Sequence, residues 1–408
     1  GENEEEHDPY EAEPVRDKAK QTVFMQRPYC SEAPNKVLVS SYLTSPAALY
    51  VRNHAPVPDC GFAPEGENWA SNALKHEVVF EAVSCGIDGS SGNGDGDNND
   101  NDNDNDKPSP SFTVRELEER FGTATITSIL QCAGNRATED IKATGESGFK
   151  GIPLERITQG MLGNVQWSGV RLADVLPALY PLECAASKRH GGGEWHVIFV
   201  GAEGYSASTP LARILDRKND CLLATSMNGK PLTPDHGYPV RALLPGVAGA
   251  RNVKWLDSIS LSRKPVDAPW NAYYYRNAKL EQIQGLPLQS LILEVKHKRA
   301  SSQSLQFEVS GVAYSGGTGN AIARVEVSKD GGKNWTEAKL KTEEVIPDDS
   351  SKNFGWVRWV AQVEVEKGLG KTVVCCRAFD TEGKTQIETT PKERGYIYSG
   401  WSKVEVGS

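Results

Sequence analysis

Three short stretches of the sequence gather side chains that can do chemistry. In Leu130-Gln131-Cys132-Ala133-Gly134-Asn135-Arg136 a thiol follows the β-branched run 123–130 and precedes a glycine turn. That pattern predicts a cysteine at a strand end, with Arg136 close enough to favour the thiolate. A thiolate serves as a nucleophile or as a soft metal ligand. The second stretch, Val51–Pro58, carries Arg52, Asn53 and His54, and the third, Asn228–Trp255, carries His236, Arg241, Arg251 and Lys254. Two histidines and several cations suit a polyanionic ligand such as a phosphate ester, which arginine grips with two parallel hydrogen bonds. No phosphate-cradling glycine loop of the nucleotide-binding kinds is present, and no Gly-x-Ser-x-Gly elbow.

The elements that must hold these stretches change character along the chain. Between 22 and about 275, short apolar runs such as Glu77–Val83 and Thr125–Leu130 read as strands. Thr113 and Glu116 form a capping-box signature for a helix over VRELEERF. Strands and helices do not alternate regularly, which argues against a doubly wound sheet. From about 285 the runs 304–314, 323–328, 356–365 and 372–379 are β-rich, with a tight turn at Asp330-Gly331-Gly332. These predict an antiparallel sandwich of the immunoglobulin type. The expected class is α+β: a mixed domain over 22–280 and a β-sandwich over 281–408.

Composition bounds the rest. The chain has 408 residues, 38% hydrophobic and 24% charged, an ordinary globular balance and enough for two domains. No apolar run is long enough for a membrane helix. The net charge of −9 is concentrated: residues 1–14 hold seven acids, and 91–106 hold six aspartates. The remainder carries 41 acidic against 45 basic residues. That mildly basic body lacks the dense cationic stripe of a nucleic-acid binder. Residues 1–21 read as a flexible acidic tail, and the Asp/Asn-rich run 90–111 as a solvated, disordered insertion. Eight scattered cysteines, without Cys-x-x-Cys spacing, read as reduced thiols of an intracellular protein.

At these same residues the sequence resembles the eukaryotic sulfite oxidase family of molybdenum enzymes. The resemblance lies in Arg-Asn-His-x-Pro-Val-Pro (52–58), Gln-Cys-Ala-Gly-Asn-Arg (131–136) and the run from Asp235-His236-Gly237 to Lys254-Trp255. It continues through Val327-Ser328-x-Asp330-Gly331-Gly332 and Arg394-Gly395 to Trp401. It implies that Cys132 is the one protein ligand of molybdenum, with a molybdopterin dithiolene supplying the other sulfurs. His54, His236, Arg241 and Lys254 would hold the pterin and its phosphate, and Arg52 would lie between cofactor and substrate. Glu203 stands where relatives often carry Asp, and Asn252 where they often carry Ser; Tyr205 and Ser208 match a cofactor-lining stretch. Tyr275 and Arg394 match substrate-side residues. Two positions depart from the pattern: Ala137 replaces an expected Arg, and Ile157 an expected Trp.

The implied activity is oxidation of sulfite to sulfate by oxo transfer. No haem, flavin or nicotinamide module is visible, so the resemblance is to the haem-free, plant-type arrangement. Dioxygen or a separate cytochrome would then accept the electrons. The rival readings are a molybdenum oxotransferase for nitrate or another small oxyanion, and a cofactor-binding paralogue with little turnover. The resemblance also implies a homodimer formed through the β-sandwich, and a mitochondrial or peroxisomal location without a visible address.

Overall fold

Ala124–Gln131 is an interior strand, and its sequence explains why. Seven of its eight residues are buried, so it cannot alternate between core and solvent as a surface strand would. It pairs antiparallel with Leu162–Arg171, from Ala124 opposite Gly169 to Gln131 opposite Leu162. Leu162–Arg171 in turn pairs with Leu222–Met227, which continues to Lys230–Pro231 and Arg241–Leu243. Gly169 is required here: a Cβ would fall 1.9 Å from the carbonyl oxygen of Leu223. This five-stranded sheet delivers Cys132, one residue beyond a strand end, and Arg241 within a strand.

The computed structural model describes residues 8–11, 13–59, 72–81, 109–145, 156–189, 194–277, 279, 281–368, 370–390 and 396–407. The core of the Asp/Asn-rich run, 90–108, lies outside them. A second five-stranded sheet runs in the order Ser111–Thr113, Glu77–Phe80, Leu256–Ser262, His196–Gly201, Ser206–Pro210. Only Glu77–Phe80 and Leu256–Ser262 among these pair in parallel. Thr22–Gln26, Tyr29–Glu32 and Val51–Arg52 form a small third sheet that presents Arg52. The helix Val114–Phe121 carries the expected capping box: the Glu116 amide donates to Thr113 Oγ1, and the Thr113 amide to Glu116 Oε2.

The C-terminal part is a sandwich of two four-stranded sheets. One contains Gln289–Ala300, Ser304–Tyr314, Val357–Glu366 and Lys339–Leu340; the other contains Thr336–Glu337, Ile322–Ser328, Thr372–Asp380 and Ser402–Val406. Val357–Glu366 buries every second side chain, the period of a strand with one face on a core. Val309, Val325, Trp359 and Val374 fill the space between the sheets. Asp330 Oδ1 accepts from the amides of Lys333 and Asn334, which closes the expected turn.

The tail expected over 1–21 is corrected in its second half. Glu13 Oε1 accepts from the amide of Val57 at 2.9 Å, and Gln21 Nε2 donates to the carbonyl of Leu49 at 2.8 Å. Arg16 lies over the ring of Tyr29 at 4.0 Å. The acidic composition hid these contacts, because an acid paired with a half-buried arginine looks in sequence like a solvated one. Among the described residues no helix is long and apolar enough to cross a membrane.

Candidate functional site

A cavity opens where the strand ends and loops converge. Cys132 lies in its wall, with Arg52, His54, Glu203 and Tyr205 around it. His236, Arg241, Asn252, Lys254 and Tyr275 complete the set of expected residues that line it. These positions span more than 220 residues of chain. Asn53 and Ser208 are fully buried but do not line the cavity. Asn53 supports it from behind: its Oδ1 accepts from Lys254 Nζ, and its Nδ2 donates to Asp235 Oδ1 at 3.2 Å. Ser208 Oγ accepts from the amide of Val266 at 3.1 Å, so its hydroxyl serves the scaffold.

Burial pushes the Cys132 thiol above its ordinary range, while the Gly134 amide, 3.5 Å from Sγ, and the charge of Arg52 act in the opposite direction. The expected helper, Arg136, does not face the thiol. Its backbone is left-handed, at φ 68°, and its guanidinium turns away to Glu139 and the C-terminal domain. Arg52 is therefore the cation that favours the thiolate.

The cavity is cationic and its cations are incompletely used. Arg241 donates to the carbonyls of His236 and Asn252, each at 2.9 Å, yet its Nε has no partner. Arg52 Nε is likewise buried without a partner, as is Glu203 Oε2. Buried polar atoms in native proteins are nearly always satisfied, so such orphans in one cavity mark a ligand's place. Burial lowers Lys254 and raises Glu203, each toward its neutral form, while their mutual attraction opposes both shifts. Burial also lowers His236 to about 4 and holds His54 well below the usual imidazole range, aided there by Arg52 and Lys254. Both histidines are thus neutral hydrogen-bonding groups at pH 7.

Aromatic rings build the other wall. His54 stacks on Tyr205 at 4.8 Å and packs against Trp270 at 4.3 Å. Its Nε2 is 2.9 Å from the hydroxyl of Tyr275. Asn252 lines the cavity, but its amide serves the loop: Oδ1 accepts from the Leu244 amide at 2.7 Å, and Nδ2 donates to the Ala248 carbonyl at 3.1 Å. Gly249 leaves room at the floor, since a Cβ there would lie 2.7 Å from the Tyr50 hydroxyl. Trp255 adopts φ 49°, costly for a bulky residue, and is held by its indole N–H on the Pro234 carbonyl at 2.8 Å.

Arg394 lies outside the described residues. Further along the chain, the Ile397 amide donates to the Ala133 carbonyl at 2.9 Å, and the rings of Tyr396 and Tyr275 are 5.8 Å apart. The C-terminal domain therefore reaches the cysteine loop. Ala137 and Ile157, the two departures, are buried in the core that includes Cys132 and do not line the cavity.

Sequence reasoning missed Tyr50, Asp235, Trp255 and Trp270. Asp235 precedes His236 within a motif already recognised, and Tyr50 sits two residues before Arg52, so adjacency was the available signal. Arg16, which forks onto Asp235, carried none.

The donor set fits a molybdopterin. Among the described residues no three His, Cys, Asp or Glu side chains gather to hold an ion by themselves. One thiol beside cations with orphaned donors suits a metal whose remaining ligands come from an anionic organic group.

Comparison with known proteins bears on the same point. Residues 103–270 match a family model for an oxidoreductase molybdopterin binding domain, and 280–408 one for a Mo-co oxidoreductase dimerisation domain. The mitochondrial sulfite oxidase of Mus musculus is 33% identical over 420 residues, covering 98% of this chain and 67% of that protein. The sulfite oxidase of Arabidopsis thaliana is 31% identical, covering 97% of this chain and 95% of the relative. A solved structure of the sulfane dehydrogenase SoxCD from Paracoccus pantotrophus shares the fold, with a TM-score of 0.67 at 21% identity over 98% of this chain and 95% of that one. With a cysteine-centred cationic cavity on one domain and an immunoglobulin-like dimerisation domain behind it, this chain belongs to the sulfite oxidase family of molybdopterin oxidoreductases.

Proposed function

We propose that the chain oxidises sulfite to sulfate, with dioxygen or a separate haem protein as electron acceptor, and works as a homodimer formed through its β-sandwich. The observation that carries this reading is the Cys132 thiol in a cavity whose Arg52 and Arg241 each keep a buried Nε without a partner. Cys132 would ligate molybdenum; Arg241, Lys254, His236 and His54 would hold the molybdopterin. That group supplies, when bound, the two-electron redox and oxygen-transfer chemistry.

The chain's own residues perform the rest. Arg52 gives a fixed positive charge beside Cys132, where an oxyanion gains most from a partly desolvated cation. Tyr275 is fully within the protein, and burial pushes its phenol above its ordinary range, so it stays a neutral hydrogen-bonding group. His54 fixes the orientation of that hydroxyl. Arg394 would add a second cation from the C-terminal domain.

Ala137 and Ile157 favour a second reading, an oxotransferase for nitrate or another small oxyanion. Both are apolar and buried, so neither supplies an anion contact. Steady-state turnover of sulfite against nitrate, per molybdenum and with pterin content measured, separates the two. Sulfite turnover at least tenfold below nitrate turnover would sink the first.

A further inference from the structure

The cavity contains a carboxylate where an anionic cofactor would find only repulsion. Asp235 lines it together with Arg52, Arg241 and Lys254. Unlike Glu203, Asp235 is not moved toward its neutral form: burial pushes it up, but the hydrogen bonds and charge of Arg16, aided by His236 and Lys254, outweigh that and hold it below the usual range. Arg16 Nε donates to Asp235 Oδ2 at 2.7 Å and Nη2 to Oδ1 at 2.7 Å, a forked pair across 219 residues of sequence. The two side chains are only 10% and 12% exposed.

Three features make this pair more than a surface bridge. First, Asp235 belongs to the loop that carries His236, and its backbone carbonyl receives Lys254 Nζ at 2.9 Å. Its side chain also receives Asn53, which itself holds Lys254. Second, Asp235 and His236 also border a second, larger hollow, which Arg16 and Pro46 line beside them. The pair thus lies between the cofactor cavity and that hollow. Third, Arg16 is itself fixed, by Glu13 and by the ring of Tyr29.

We propose that Arg16 is a positioning residue for the bound cofactor, acting through Asp235. It offsets the Asp235 charge facing the anion, keeps Asp235 from competing for Lys254, and closes the cavity on the side of the hollow. The proposal rests on the molybdopterin reading above.

The test is the rate of pterin release from purified holoenzyme, followed by fluorescence of the released pterin after dilution. Arg16→Ala is expected to release pterin at least about tenfold faster than the parent, the loss of one charge-assisted pair. Arg16→Lys, which keeps the charge and loses the fork, should fall between, and it carries the comparison alone if the alanine variant does not accumulate. Lys20→Ala, on the same segment but exposed and paired with Asp17, should match the parent. In an Asp235→Asn background, Arg16→Ala should add little, since the two act as one unit. Parental release from both Arg16 variants overturns the proposal, and so does an undiminished effect in the Asp235→Asn background. A parent protein that contains no pterin overturns the functional reading and this one with it, a result distinct from any change in release rate.

Discussion

The guanidinium of Arg136 donates to the carbonyl of Gly400 at 2.8 Å, joining residues 264 apart in the chain. The same Nη1 reaches Gln289 Oε1 at 3.2 Å, while Nε and Nη2 take both oxygens of Glu139. A fully buried arginine thus ties the turn after Cys132 to the first strand of the sandwich and to the segment that leads into its last.

Arg136→Met is expected to destabilise the protein by about 3 kcal/mol, because it leaves buried acceptors without their charged donor. The measurement is the denaturant midpoint of the purified variant at constant slope. Arg136→Lys should recover less than half of the loss, since an ammonium cannot reproduce the fork. A midpoint equal to the parent's would show that the junction does not depend on this contact.

Cys132→Ser should abolish turnover and leave the fold intact. The side chain changes by one atom, but a hard hydroxyl does not replace a thiolate as a soft-metal ligand. Circular dichroism and melting would be unchanged, and activity per molybdenum would fall below a few per cent. Higher activity in a metal-loaded variant would remove Cys132 from the ligand role.

Tyr275→Phe removes the hydroxyl that His54 orients. A hydrogen bond to a charged group contributes ~1.5–3 kcal/mol, so KM for sulfite should rise about tenfold or more, with molybdenum content unchanged. An unaltered KM would place the anion elsewhere in the cavity.

The buried histidines set a pH dependence for the cofactor-free protein. His236 titrates near 4 when folded, because burial disfavours its charge, against an ordinary value of 6.5. Its folded form therefore binds fewer protons than the unfolded chain between those values, and stability rises with pH across that window. The shift corresponds to roughly 3 kcal/mol, complete above pH 6.5 and lost on acidification toward pH 4. His54 acts in the same direction. Denaturant midpoints of cofactor-free protein between pH 4 and 7 test this, and His236→Gln should flatten the slope.

Much of this was readable from the sequence, for identifiable reasons. The sandwich strands were legible because one buried face imposes a period of two, as in Val357–Glu366. The helix at Val114 was legible because its cap is local, formed within four residues. Cys132, His54 and His236 stood in recognisable motifs. The errors were non-local. Arg136 was assigned to the thiol because it is near in sequence; its left-handed backbone turns it away. Arg16 was assigned to a tail because its partner lies 219 residues on. Nothing in a linear pattern reports a contact of that span.

The wall of the cavity is drawn from Arg52 near one end and Tyr275 well toward the other, and the cysteine loop is clamped by Gly400 and Ile397. Contacts so distant in sequence form only after long loops have closed. The shape of the cysteine loop is consequently not a property of one domain alone: it is completed only when the segment around Ile397 and Gly400 docks onto it.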